Sequence, residues 1–271
     1  MKKIYLPVIT VIVCLFCFLQ SEAQRKLGKA IFSKQPPPVS PAINSFVGNT
    51  TADCDTLNVP VDTSWSATTY VVNQSGTEED GYLNGTNSYD DKQKANLFNL
   101  SITTNMYITG ALIAFGNVNA VSADTSKGVF IRIYADSTVA DSTGTDSTNQ
   151  PGALLGSVET TVAQLHADVL ANAYTEVIFP APVKLQANQK FFISVDFSNL
   201  SWPNDTLWVA GTEDGQTLPG LAWEQWSDSS WHSFSAPETY SANITLWIFP
   251  YVSTSATGCS SLPVKLLSFN A

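Results

Sequence analysis

KFFISVDF, residues 190–197, decides the kind of fold this chain adopts. Phe191, Ile193, Val195 and Phe197 fall on one side of an extended chain, and Phe192, Ser194 and Asp196 fall on the other. That is the period-two alternation of a strand with one strongly apolar face. The same β-branched and aromatic character recurs outward along the chain. It marks residues 108–116 (ITGALIAFG), 128–135 (GVFIRIYA), 174–179 (YTEVIF), 206–211 (TLWVAG) and 243–252 (NITLWIFPYV) as further strands. The turn-forming stretches NGTN, NQPG, QANQ and WPND separate them. About ten short strands with almost no helix predict an all-β chain, an antiparallel β-sandwich of jelly-roll, carbohydrate-binding-module-like type, built as a single domain. Its two sheets pack face to face and bury the alternating apolar sides.

Residues 159–174 (ETTVAQLHADVLANAY) hold the one helical stripe, with Leu165, Val169 and Ala173 in line; their Thr and Val content argues against a long helix. Residues 135–152 (ADSTVADSTGTDSTNQPG) repeat Asp-Ser-Thr at Asp136, Asp141 and Asp146 without apolar anchors, and read as a long exposed loop.

The ends frame the domain. Lys2 and Lys3, an apolar run over residues 4–19, and small residues at Ser21 and Ala23 predict a signal peptide over residues 1–23, hence a secreted, extracellular or cell-surface protein. The apolar run is short for a spanning helix and Pro7 interrupts it, so no membrane insertion is expected. Residues 24–52 form a Pro-rich linker, residues 53–258 the sandwich, and residues 259–271 a junction segment. Cleavage after residue 23 leaves 13 − 2 = 11 basic and 23 − 1 = 22 acidic residues, a formal charge of −11. No basic stripe offsets this, so nucleic acid is excluded as a partner and a monomer is expected. Cys54 and Cys259 remain after cleavage, and an oxidising compartment predicts a disulfide between them, with two unpaired thiols as the alternative.

Several stretches carry a family resemblance. They are GYLNGTNSYDDKQKANLF (81–98), GALIAFG (110–116), VFIRIYA (129–135), PGALLGS (151–157), FPAPVKLQANQKFFISVDF (179–197), WSDSSW (226–231) and the tail SLPVKLLSFNA (261–271). Together they resemble the secreted β-sandwich domains of Bacteroidota proteins that carry type IX secretion sorting domains. The tail is similar to the junction ahead of such domains. The sorting domain itself would follow, whereas the sequence stops at Ala271, so the resemblance predicts a fragment of a longer product or another route out of the cell. The resemblance also implies O-glycan acceptors at Ser137, Ser142, Ser147, Thr56 and Thr206, each following an Asp. The Asn-x-Ser/Thr sequences at Asn84, Asn204 and Asn243 are by-products of a composition rich in these residues.

No HExxH, GxSxG or phosphate-loop motif occurs, and His166 and His232 are the two histidines. No cofactor is expected beyond calcium, for which Asn87, Asp90 and Asp91 offer loop oxygens against the alternative of a solvated turn. The most informative stretch is LAWEQWSDSSWHSF, residues 221–234, with three of the seven tryptophans. A symmetric hairpin turning at Asp228 and Ser229 places Trp226 opposite Trp231, on one face with Glu224 and Ser233. Trp223, Phe234, Gln225 and His232 occupy the other. One aromatic pair, Trp226 with Trp231 or Trp223 with Phe234, then forms either a platform for stacking sugar rings, rimmed by Glu224 or His232, or a plug for the sandwich end. Trp202, before a Pro in a turn, is a further exposed candidate, whereas Trp65, Trp208 and Trp247 belong to the core.

The leading expectation is a non-catalytic secreted module that binds a polysaccharide or cell-surface glycan, or serves as an accessory surface domain. The alternatives are a structural or adhesive spacer with a protein partner or none, and a glycosidase or lyase using Asp196 and Glu224.

Overall fold

The computed structural model describes residues 27–32, 54–57, 65, 67–72, 80–99, 104–120, 126–140 and 147–257. The leader (1–23), most of the linker, Ser142, Cys259 and the C-terminal junction lie outside the described residues.

The chain is an all-β sandwich. Its strands in order are β1 (Leu27–Phe32), β2 (Cys54–Thr56), β3 (Thr68–Val72), β4 (Gln93–Phe98), β5 (Met106–Ile113), β6 (Phe115–Ala120), β7 (Gly128–Ala140), β8 (Ser147–Thr161), β9 (Thr175–Leu185), β10 (Phe191–Asp196), β11 (Asp205–Val209), β12 (Ala222–Gln225), β13 (Trp231–Ser233) and β14 (Ile248–Ser253). A six-stranded sheet runs β13-β12-β4-β10-β7-β8 and a four-stranded sheet runs β2-β14-β5-β9. Two strand pairs, β1-β3 and β11-β6, accompany them. Every described strand pairing is antiparallel, and along each strand successive side chains point to opposite faces.

Strand β10 shows why the alternation decides the fold. It lies between β4 and β7 and is buried on both sides. Phe191, Ile193 and Val195 enter the main core, with Phe197 just beyond the strand. There they meet Ile131 and Ile133 of β7 and the inward residues of the opposing sheet, including Ile108, Phe179 and Tyr251. Phe191 stacks on Phe98 with ring centroids 5.0 Å apart. Phe192, on the opposite side of β10, belongs to a separate cluster with Ala95, Leu97, Tyr134 and Trp223. The six-stranded sheet therefore has two apolar faces, one turned to the sandwich core and one turned away from it.

The helical stripe becomes α1 (Val162–Leu170), with Val162 and Leu165 buried. Thr161 caps it, its Oγ1 accepting from the Gln164 N–H at 3.2 Å. The expected loop over 135–152 is different in the structure. Strand β7 continues to Ala140 and β8 begins at Ser147, with Ser137 opposite Gln150 and Val139 opposite Thr148. A two-stranded ribbon is held by its backbone ladder, and Thr, Ser and Val suit extended chain, so it needs no apolar anchor.

Four of the five expected acceptors for modification can be placed. Thr56 is buried in β2, which pairs with β14, and the folded chain gives a glycan no room there. Thr206 and Ser137 are half-buried, and Ser147 begins β8. Asn84 is fully buried, its side chain bonded to Thr69, Val209 O and Thr68 O, which closes that sequon in the folded chain. Cys54 lies in β2, but its expected partner Cys259 is outside the described residues.

Gly85 is bridged to Trp208 of β11. A Cβ added there would lie 2.7 Å from Trp208 Cα and would collide with Leu207 O. Both neighbours are backbone and cannot rotate away. Gly85→Ala is expected to destabilise the fold by about 1–3 kcal/mol, as overpacking does. A urea-unfolding midpoint within error of wild type would contradict this packing.

Candidate functional site

The tryptophan hairpin folds with a register one residue away from the symmetric expectation. Trp223 pairs with Ser233, Glu224 with His232, and Gln225 with Trp231. The loop has an extra residue. The Trp226 N–H donates to Ser230 O at 2.9 Å, and Ser229 takes φ 75°. A hairpin of this length needs a residue in the left-handed region, and Ser229 supplies it. Asp228 braces the loop by accepting from both the N–H and the hydroxyl of Ser230, at 2.9 and 2.6 Å. These hydrogen bonds hold the exposed Asp228 carboxyl below its ordinary range.

A one-residue shift moves every β13 side chain to the opposite face. Trp226 and Trp231 are consequently not a cross-strand pair. Trp226, Glu224, His232 and Phe234 share the face toward the sandwich, while Trp223, Gln225, Trp231 and Ser233 share the outer face. Trp226 stacks on His232 with centroids 3.6 Å apart. Trp202, the other tryptophan expected in the site, packs edge-on against Tyr82 in a different aromatic group that includes Trp208.

Glu224, expected at the rim of a sugar platform, is fully buried. Its Oε2 lies 2.7 Å from Lys94 Nζ, and Asp91 Oδ2 lies 2.7 Å from the same nitrogen. Asn87 Nδ2 donates to Asp91 Oδ2 at 2.8 Å and Trp226 Nε1 donates to Glu224 Oε1 at 2.6 Å. The Phe234 ring lies 5.3 Å from the ammonium. Two carboxylates thus converge on one lysine inside the protein. This also alters the calcium reading of Asn87, Asp90 and Asp91. Asp91 and Asn87 face the lysine cluster, and Asp90 is exposed with φ 56°. An ammonium occupies the place between the carboxylates where a cation would be coordinated. Among the described residues no group of three or more His, Cys, Asp or Glu is arranged to hold a metal ion.

Asp196 is on the outer face of β10 and Glu224 on the inner face of β12. The two carboxylates proposed for glycoside cleavage therefore stand on opposite sides of the sheet and cannot flank one bond. His166 is exposed on α1, and His232 accepts or donates a 2.7 Å hydrogen bond between Nε2 and Ser230 Oγ.

The outer face of the six-stranded sheet is the more informative surface. Trp231 on β13 and Tyr134 on β7 are four positions apart in the strand order, yet their rings meet edge to face at 5.8 Å. The two edge strands, β13 and β8, also come within 8 Å of each other between Cα atoms. The sheet is curled, with this face on the concave side. Phe192, Leu97, Tyr134 and Trp223 line its depth and are buried, and Phe192 and Trp223 meet edge to face at 5.9 Å. Trp231, Gln225, Phe130 and Arg132 are half-buried.

A chain of polar contacts crosses the same face. Gln93 Oε1 accepts from Ser194 Oγ at 2.7 Å and from the Tyr134 hydroxyl at 3.1 Å. Gln93 Nε2 donates to Gln225 Oε1 at 2.8 Å, and Gln225 Nε2 donates to Ser229 O at 3.1 Å. Arg132 Nη2 is 2.8 Å from Asp196 Oδ2, and its Nε is buried with no hydrogen-bond partner. Burial pushes the Tyr134 phenol above its ordinary range, opposed by the Gln93 hydrogen bond and the Arg132 charge. Tyr134 therefore keeps its proton to donate. Rings beside fixed amides and hydroxyls are the chemistry that stacks on the apolar face of a sugar and hydrogen-bonds its hydroxyls. Of Trp202, Glu224, Trp226 and Trp231, Trp231 alone is on this surface. Gln93, Gln225, Tyr134 and Arg132 carry no local signal in the sequence, because three separate strands, β4, β12 and β7, bring them together.

No family model and no curated protein matches the chain. Among solved structures it is similar to the cysteine protease and lectin-like domains of Cwp84, a surface layer associated protein of Clostridium difficile, with 12% identity and a TM-score of 0.37 over 75% of this chain. It is also similar to the clostridial cysteine protease Cwp84 after propeptide cleavage, with 15% identity and a TM-score of 0.38 over 75% of this chain. The chain spans 36% and 41% of the length of those two solved chains. Among the described residues no helix is long and apolar enough to cross a membrane.

Lys94→Met removes the one cation between two buried carboxylates. The expected loss is about 3–5 kcal/mol, the usual cost of stranding a buried charge. Equilibrium urea unfolding reads it directly, and a loss below about 1 kcal/mol would show that the cluster is not held together by its lysine.

Proposed function

We propose that the protein is a non-catalytic carbohydrate-binding β-sandwich module, which takes a glycan on the concave outer face of its six-stranded sheet. The observation that carries the reading is the position of Trp231. Its half-buried ring lies against Tyr134 at the margin of a face whose Gln93, Gln225, Ser194 and Tyr134 side chains are already tied into one hydrogen-bonded chain. An apolar ring next to pre-ordered amides lowers the entropy lost on binding, because few side chains need to be fixed. In this reading Trp231 stacks on the sugar, while Gln225 and Arg132 reach its hydroxyls. Trp226, Glu224 and Trp202 are left out of the site, and Glu224 acts instead in the buried cluster. The leader sequence of residues 1–23 supports an extracellular setting, where such glycans are found.

Affinity electrophoresis against soluble dextran, mannan, xylan and β-1,3-glucan tests the proposal. At least one polymer is expected to retard the wild-type protein. Trp231→Ala is expected to weaken that binding at least about tenfold, the scale of losing a central aromatic contact. Trp202→Ala is expected to leave it unchanged, with circular dichroism confirming that both variants fold. Failure of the wild type to bind any polymer in the panel, or equal binding by Trp231→Ala, would sink the reading.

A further inference from the structure

We infer that the concave face receives the terminal residue of an uncharged saccharide chain, end-on, rather than an internal stretch of polymer. The inference rests on the glycan reading above and adds the mode of binding and the chemical class.

The first argument is closure. A polymer bound through its interior must enter past one edge of the sheet and leave past another. Here the edge strands β13 and β8 approach within 8 Å between Cα atoms, which narrows the lateral exit. Along the strands, one direction is filled by Leu97, Phe192, Tyr134 and Trp223, all buried in one cluster. The other direction ends in a single cross-sheet row. Register places Trp231 beside Gln225, Gln225 beside Gln93, Gln93 beside Asp196, and Asp196 beside Phe130. Three members of that row, Trp231, Gln225 and Phe130, are half-buried, and so is Arg132 in the next row. The half-buried residues that β13, β12 and β7 present on this face thus gather at one end of a buried aromatic cluster, while Leu154 of β8, the partner of Tyr134, is exposed at the sheet edge. Such a shape fits a chain end.

The second argument is charge. Two cations lie at that end of the face, Arg132, which Asp196 neutralises at 2.8 Å, and Lys92, which donates to Ser229 Oγ at 2.9 Å; the exposed Glu159, register partner of Phe130, extends the row with a further carboxylate. The Arg132–Asp196 pair offers donors and acceptors to hydroxyl groups without a net charge to attract a carboxylate. The Gln93–Gln225 amide pair is likewise neutral. The whole chain carries a formal charge of −10, which further disfavours acidic polysaccharides.

The test uses an unbranched, uncharged fraction of whichever of the four polymers binds, before and after endo-hydrolysis to about one-tenth of its chain length at equal mass. Isothermal titration calorimetry is expected to give one protein per chain at both lengths. The apparent affinity per unit mass should rise about tenfold with the number of ends, following mass action. Stoichiometry that increases with chain length, with binding still lost in Trp231→Ala, would overturn end-on recognition while leaving the glycan reading intact. Absence of binding by the wild type to every polymer would remove both. Methyl glucuronide competing better than methyl glucoside would overturn the uncharged class.

Discussion

The ammonium of Lys94, held 2.7 Å from Asp91 and 2.7 Å from Glu224, is the contact on which the rest of the face depends. It couples β4 to β12 across 130 residues of sequence. Lys94 and Glu224 are also direct partners in the strand ladder. A slip of β12 by one residue would pull Glu224 out of the interior and leave Lys94 beside a side chain that cannot neutralise it. The penalty of an unpaired buried charge makes that slip costly, and register specification is the best-attested role of buried ionic groups. Once β12 is locked, Trp223 and Gln225 have no choice but the outer face. The three-residue loop closed by Ser229 then brings Trp231 to the same side.

Strand β4 carries this organisation with an unpromising sequence. QKANLF has three polar residues in its first four positions, yet every residue of it is buried. Polar groups on each face find partners there. Gln93 is bonded to Tyr134, Ser194 and Gln225 on the concave side. Lys94 meets its carboxylates on the core side, and Asn96 Oδ1 accepts from Thr245 Oγ1 and the Leu246 N–H at 2.9 and 3.1 Å. Asn96 Nδ2 is buried without a hydrogen-bond partner, but the polar groups that are paired are strong and directional in a low-dielectric interior, so they select one arrangement more sharply than an apolar strand would.

These two features mark the limit of what the sequence discloses. Alternation in β10 is a local signal, and Phe191, Ile193, Val195 and Phe197 went to the core as their spacing requires. The sandwich class follows from many such segments. By contrast, the stretch 227–229 (SDS) suits both a two-residue and a three-residue hairpin loop, since Asp and Ser favour either turn. The face that β12 presents is likewise fixed from afar, by a lysine more than a hundred residues earlier, in a segment whose Asn, Asp and Lys content reads as a solvated or calcium-binding loop. Periodicity could not find it. The Asp-Ser-Thr ribbon was equally hidden, because backbone pairing leaves no apolar pattern to detect.

The curl of the six-stranded sheet adds a consequence that neither strand order nor composition contains. A flat outer face would leave Phe192, Leu97 and Trp223 exposed as an apolar patch, which soluble domains avoid unless it is functional. Curling folds that patch onto itself, so that Tyr134 covers one flank and Trp231 reaches over from the opposite edge. Most of the apolar area is thereby withdrawn from water without any partner. What stays accessible is the polar-lined margin around Trp231, Gln225 and Arg132. The same curvature that stabilises the sheet also restricts the approach of a ligand. Binding and stability are consequently linked at Trp231, and its loss must be read with a fold measurement beside it.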